Sequence, residues 1–355
     1  MAIEFFWQLP TNGDGRYADA EKRRRGEREY AHSAYLTSGV SDPRGDTYNY
    51  FDYLHQIARA AELGGFNGIQ IRNDPDGDES WIVAGYLARS TKYLTIIAEF
   101  DASRGSAVYA AKNAVSYQRF SHGRFAWQIG TGGNEKQRRS AGDFIAEQDI
   151  LKRIDEFVTV AQNVITQTSY TFEGEFFQVL EGGFKGPLSN QKVPPVYLAG
   201  SSDEAYQLSA KLADVHVLDA KPVEQIKPEI AKLSALAAAQ GRKLDIALRI
   251  DLLARETEEE AQFDAERFGQ QSGNTYEVGS TSLLRAGLSG KHTDAAATLV
   301  GSYEQVIEKL VEYAHAGVTT FILGAVPSLE EAYRVGEIIL PEVRSLISGA
   351  GRRVA

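Results

Sequence analysis

Phe5-Phe6-Trp7-Gln8-Leu9-Pro10-Thr11-Asn12-Gly13-Asp14-Gly15-Arg16-Tyr17 is the stretch that decides the fold. The apolar run Ile3–Leu9 predicts a strand, Pro10 ends it, and Thr11–Gly15 reads as a polar loop. A strand that breaks straight into a polar loop at the head of a long chain is how a (β/α)8 barrel begins. In that fold the loops after the strands build the active site.

The rest of the chain keeps the same rhythm. Short apolar, β-branched or aromatic runs predict strands at Glu4–Leu9, Gly68–Arg72, Leu94–Phe100, Arg124–Gly130, Val196–Gly200, Val215–Asp219, Ile246–Ala254 and Thr320–Gly324. Helical spacing predicts helices at Tyr50–Leu63, Ala107–Phe120, Asp149–Ile165, Ser201–Leu212, Val223–Gln240, Glu256–Phe268 and Tyr303–Ala316. Strand alternating with helix in this way predicts an α/β (β/α)8 TIM barrel. The alternative is an open, doubly wound sheet. It calls for a Gly-x-Gly-x-x-Gly turn after the first strand, which this chain lacks. The expectation is a single barrel domain over 1–355 with insertions near 18–47, 170–195 and 270–297. The middle insertion reads as a hairpin, and the last one as a lid.

The bulk properties narrow the function. The chain has 355 residues, 43% of them hydrophobic, enough for one large core. Its net charge of −10 argues against nucleic acid or an anionic membrane surface as partner. It has no cysteine, hence no disulfide framework and no thiolate chemistry. No basic leader followed by an apolar stretch is seen, and no apolar run reaches membrane-spanning length, so a cytoplasmic protein is expected. The histidines show no ligand spacing with a carboxylate, so no metal is expected. The acidic loop Asp74–Glu79 and the basic run Lys22–Arg25 read as solvated surface.

Three places carry candidate chemistry. In Val196–Ala205 a strand meets a glycine turn and a helix start, with Ala199, Gly200, Ser201 and Ser202 at the junction. Unpaired N–H groups and the helix dipole there suit a phosphate, although an ordinary capped helix would read the same way. In Gly123–Asn134 a polar Gln128 interrupts an apolar strand that leads into Thr131-Gly132-Gly133-Asn134. A buried amide needs partners, and this turn lets backbone approach a flat ring; a structural amide and a plain turn are the alternative. In Leu248-Arg249-Ile250-Asp251, period two puts Arg249 and Asp251 on one face. Charges facing a barrel interior are costly unless paired or functional. The pair reads as an anion anchor with its own counter-charge, or as a structural ion pair at the mouth.

Several motifs, in collinear order, resemble one family. They are the opening run, Asp78-Glu79-Ser80-Trp81, Ser121-His122-Gly123-Arg124, the Thr131-Gly132-Gly133 turn, the Gly200-Ser201-Ser202 turn, Ala254-Arg255-Glu256-Thr257 and Leu329-Glu330-Glu331-Ala332-Tyr333-Arg334-Val335-Gly336-Glu337. Together they are similar to the FMNH2-dependent alkanesulfonate monooxygenases, a branch of the bacterial luciferase-like flavin monooxygenases. The resemblance implies reduced FMN delivered by a separate NAD(P)H-dependent FMN reductase, dioxygen as co-substrate and a flavin (hydro)peroxide as oxidant. It implies cofactor contacts at Trp7, Ala98, Gln128, Thr131, Gly132, Asn134, Ala199, Gly200, Ser201 and Ser202, and catalytic roles for Arg249 and Asp251. It implies substrate contacts at Asn12, Lys291 and His292, and a homo-oligomer, dimer or tetramer.

The chain departs from that branch at informative positions. Asp251 stands where the branch carries histidine, and Asn12 replaces another histidine. Gly77 falls where it has cysteine. C–S cleavage of a small organosulfonate, with release of sulfite, is the leading expectation. A non-sulfonate substrate, deazaflavin-dependent hydride transfer and a non-catalytic flavin-binding or light-emitting subunit are the alternatives.

Overall fold

The computed structural model describes residues 3–12, 50–75, 77–272, 283–285 and 297–349. Strand and helix alternate along it. The strands are β1 (Glu4–Leu9), β2 (Gly68–Ile71), β3 (Thr95–Asp101), β4 (Phe125–Gly130), β5 (Tyr170–Glu173), β6 (Gln178–Gly182), β7 (Val196–Ala199), β8 (Val215–Asp219), β9 (Asp245–Arg255), β10 (Leu284–Arg285), β11 (Thr298–Ser302) and β12 (Thr320–Gly324). The helices are α1 (Tyr50–Leu63), α2 (Ser80–Ser90), α3 (Ala107–Phe120), α4 (Glu135–Ser140), α5 (Ile150–Thr166), α6 (Asp203–Leu212), α7 (Val223–Ala239), α8 (Glu258–Ser272), α9 (Tyr303–His315), α10 (Ser328–Arg334) and α11 (Leu340–Ile347).

β1, β2, β3, β4, β7, β8, β9 and β12 pair in parallel around a closed ring, with β12 on β1 and β8 on β9. This is the expected (β/α)8 barrel. The sheet is covered on both sides, so its strands bury nearly every residue: β2 is buried throughout and β4 is buried except at Gly130. Alternation then sorts side chains into two cores. Phe6, Ile97, Ala126, Tyr197, Val215, Val217, Ala247 and Ile322 fill the lumen. Trp7, Ile69, Ala98, Trp127, Leu198 and Leu248 pack outward against the helices. There Trp81 of α2 meets the rings of Phe100, Tyr117, Phe125 and Trp127.

The hairpin expected near 170–195 is β5–β6, an antiparallel pair with an irregular register. Most of the 18–47 and 270–297 insertions lies outside the described residues. β9 is longer than the apolar run suggested. Its last residues, Asp251–Arg255, pair with β11, which in turn pairs with β10. No helix among the described residues is long and apolar enough to cross a membrane.

Candidate active site at the barrel mouth

The turn after β7 is built by backbone constraint. Gly200 has φ +143°, and a Cβ there would lie 2.7 Å from the Ala205 Cβ, so only glycine fits. Ser202 caps the ten-residue α6, its Oγ accepting from the Ala205 N–H at 3.1 Å. Ala199, Ser201 and Ser202 are exposed, which leaves the serines and the first helical N–H groups open to a ligand. Asp203, in the first turn, is drawn to Lys232 at 2.5 Å.

The support beneath this turn is His216 of β8. It is fully buried, and its Nε2 lies 3.1 Å from the Gly200 carbonyl oxygen while Nδ1 lies 2.7 Å from Ser209 Oγ. Burial pushes its pKa down to about 4, so the ring is neutral at pH 7. Nε2–H then donates to Gly200, and Nδ1 accepts from the serine hydroxyl. Sequence reading passed over His216 because neither partner is near it in the chain.

The loop after β4 is held from within. Asn134 and Gln137 form a capping box at the start of α4, so the Asn134 carbonyl is committed to the helix. Arg138, 4% exposed, donates to the Gly133 carbonyl at 2.5 Å and pairs with Glu147. Thr131 is exposed and Gly132 half-buried. Gln128 points into the lumen.

Arg249 rises from the lumen face of β9 with its side chain 14% exposed. Its Nε donates to Asp219 Oδ1 at 2.8 Å, and Nη2 lies 2.7 Å from the same atom. Asp219 closes β8 and is in register with Arg249. The counter-charge therefore comes from the neighbouring strand, where the sequence reading looked only along β9 to Asp251. Asp251 is buried two residues on, and a Cβ on Gly324 of β12 would run into its Oδ1.

A carboxylate pair that the sequence reading did not single out completes the mouth. Glu99 and Asp101 follow Ile97 on the lumen face of β3. Asn73 donates its backbone N–H to Glu99 at 3.1 Å and its Nδ2 to Asp101 at 2.5 Å. Arg104 lies 3.5 Å from Asp101, and Arg72 lies 3.8 Å from Glu99. Burial, and then the charge of Glu99, pushes the Asp101 pKa up to about 6. Period two would have found both residues from Ile97.

The remaining sequence candidates fall elsewhere. Trp7 and Ala98 are buried on the helix side of their strands, and Trp7 Nε1 donates to Ser328 Oγ at 2.9 Å. Asn12 is half-buried just after β1, next to the buried Thr11. Lys291 and His292 lie outside the described residues.

The parallel barrel thus carries at its C-terminal mouth a capped helix start, an arginine held by an aspartate and a carboxylate pair. The family described as luciferase-like monooxygenase matches residues 31–320, and the chain belongs to that family. Solved structures of the same fold include a riboflavin lyase bound to modified FMN and riboflavin, at 18% identity and TM-score 0.72, covering 98% of this chain and 92% of that one. A long-chain alkane monooxygenase matches at 17% identity and TM-score 0.74, covering 100% of this chain and 93% of that one. An F420-dependent secondary alcohol dehydrogenase, in complex with an F420–acetone adduct, matches at 16% identity and TM-score 0.69, covering 97% and 100%.

Proposed function

We propose that this protein is a two-component monooxygenase that takes reduced FMN from a separate NAD(P)H-dependent reductase. Its substrate on this reading is a small organosulfur compound, with C–S cleavage of an organosulfonate the leading case. The observation that carries the reading is a glycine turn at an exposed helix start on the same barrel mouth as a fixed guanidinium, in a chain of the luciferase-like family.

The residues fit the cofactor. Gly200 allows a phosphate to approach the backbone, Ser201 and Ser202 add hydroxyls, and the start of α6 adds N–H groups and dipole. The ring would lie over Gln128 and the Thr131–Gly132 turn. Bound reduced flavin supplies the electrons that activate dioxygen. The protein orients, excludes water and holds charge. Arg249 offers Nη1 to an oxygen anion while Asp219 fixes its other nitrogens. Asp101, with a pKa of about 6, can hold or release a proton near neutral pH.

Sulfite release tests the reading, with reduced FMN regenerated in air and sulfonates of graded size. Sulfite from one size class is the expected result. Oxygen uptake without sulfite from any of them would overturn the desulfonation reading and keep the flavin chemistry. Flavin-dependent hydride transfer without oxygen uptake would overturn both.

A further inference from the structure

The barrel lumen carries a row of amides from three strands. Gln8 of β1 donates Nε2 to Gln70 Oε1 of β2 at 3.1 Å, and Gln70 donates Nε2 to Gln128 Oε1 of β4 at 2.6 Å. Gln8 and Gln70 are abreast in register, and Gln128 is abreast of Glu99 one step higher, so the row climbs toward the mouth. Gln70 is fully buried and Gln128 is 4% exposed.

Such a row has a direction. Gln8 occupies the carbonyl of Gln70, which turns the Gln70 NH2 toward Gln128. The Gln128 carbonyl is thereby engaged from below, and its NH2 is turned toward whatever binds above. Reversing Gln128 alone would set two NH2 groups against each other in a buried place, so its orientation is tied to that of Gln70 and Gln8 and the three can turn only together.

We propose that Gln8 and Gln70 are positioning residues that fix Gln128 as a hydrogen-bond donor, so that the ligand must meet it through an acceptor. This rests on the flavin reading of the site. On that reading the ring presents a carbonyl oxygen or an unprotonated ring nitrogen to Gln128, and a ring N–H is mismatched there. At the far end of the row, Gln8 Oε1 lies 3.2 Å from where a Cβ on Gly324 would stand, beside Asp251 Oδ1. The row therefore runs from the β9–β12 side of the barrel to the β4 side, and a change at Gln8 reaches Gln128 through Gln70.

The test is titration of wild type, Gln70→Met and Gln8→Met with oxidised FMN, reading Kd, the shift of the flavin visible band and the thermal midpoint. Methionine keeps the length and removes the hydrogen bonds. Both variants are expected to weaken FMN binding by roughly tenfold. The bound-flavin band should also move toward that of free FMN, which loss of stability alone would not cause. If Gln70→Met does not fold, Gln8→Met, at the half-exposed end of the row, decides the matter by the same readouts. Wild-type binding with a shifted band, and unchanged Kd and band in the folded variants, would overturn the positioning role. A wild type that binds no FMN would defeat the flavin reading itself and this inference with it.

Discussion

Arg249 is the residue on which the chemistry of the mouth turns. With Asp219 engaging Nε and Nη2, it is a fixed cation on the lumen face. Arg249→Ala is expected to abolish oxygenation while FMN affinity stays within about tenfold, near 1.4 kcal/mol; unchanged turnover would remove its role. Asp101 makes a prediction about stability. Its folded pKa, about 6, lies above that of an unfolded aspartate, so the folded state binds the extra proton between the two values. Stability from this group is present below the unfolded value and is lost as pH rises through about 6. Asp101→Asn should therefore stabilise the protein at pH 8 by up to about 3 kcal/mol, with the gain vanishing near pH 3.5. Denaturant melts at both pH values check it. His216 runs the other way: with a depressed folded pKa, it costs stability as pH falls below about 6.5 toward 4. The sequence made Arg249 and Asp251 legible because a charge in an apolar strand stands out. Glu99, Asp101, Gln8 and Gln70 obey the same alternation but lie near strand ends or among polar neighbours. The alternation that turns Gln8 inward turns Trp7 outward to the helices.

At the scale of elements, the cradle at the start of α6 and the motifs behind the family resemblance behave differently. Gly200→Val demands a forbidden φ and a collision with Ala205. It should weaken FMN at least tenfold more than riboflavin, which lacks the phosphate; equal losses in paired titrations would remove the phosphate assignment. The other motifs are largely structural. Glu79 caps α2 by accepting from the Trp81 and Ile82 N–H groups, at 2.8 and 2.9 Å. Arg124 donates to the carbonyls of Ala88, Thr91, Leu94 and Ser121, tying α2 and α3 to the strand edges. Arg255 pairs with Asp264 at 2.6 Å and with Glu331 at 3.1 Å, and Glu331 also holds Arg334. The Ala254–Thr257 and Leu329–Glu337 motifs thus meet in one ion cluster around the buried Glu331. Glu331 is 2% exposed and is shared by Arg255, which keeps Asp264, and by the partly exposed Arg334, so Glu331→Ala should cost about 2–3 kcal/mol in thermal or denaturant unfolding. A loss under 1 kcal/mol would mean the cluster is dispensable.

For the molecule as a whole, strand and helix positions were legible because doubly covered parallel strands are continuous apolar runs flanked by helical periodicity. Ring closure was legible only as a count of eight strand–helix repeats; the contact that makes it, β12 on β1, joins Glu4–Trp7 to Thr320–Leu323 from opposite ends of the barrel sequence. The same closure gathers Gln128, Gly200 and Arg249 at one mouth, for which reduced FMN is the ligand proposed. Anaerobic titration with reduced FMN, reduced riboflavin and reduced deazaflavin, followed by mixing with air, tests it most directly. Tightest binding of reduced FMN and oxygen-dependent reoxidation of the bound flavin are the expected results. No preference for FMN over riboflavin, or tight binding of the deazaflavin alone, would contradict the proposal.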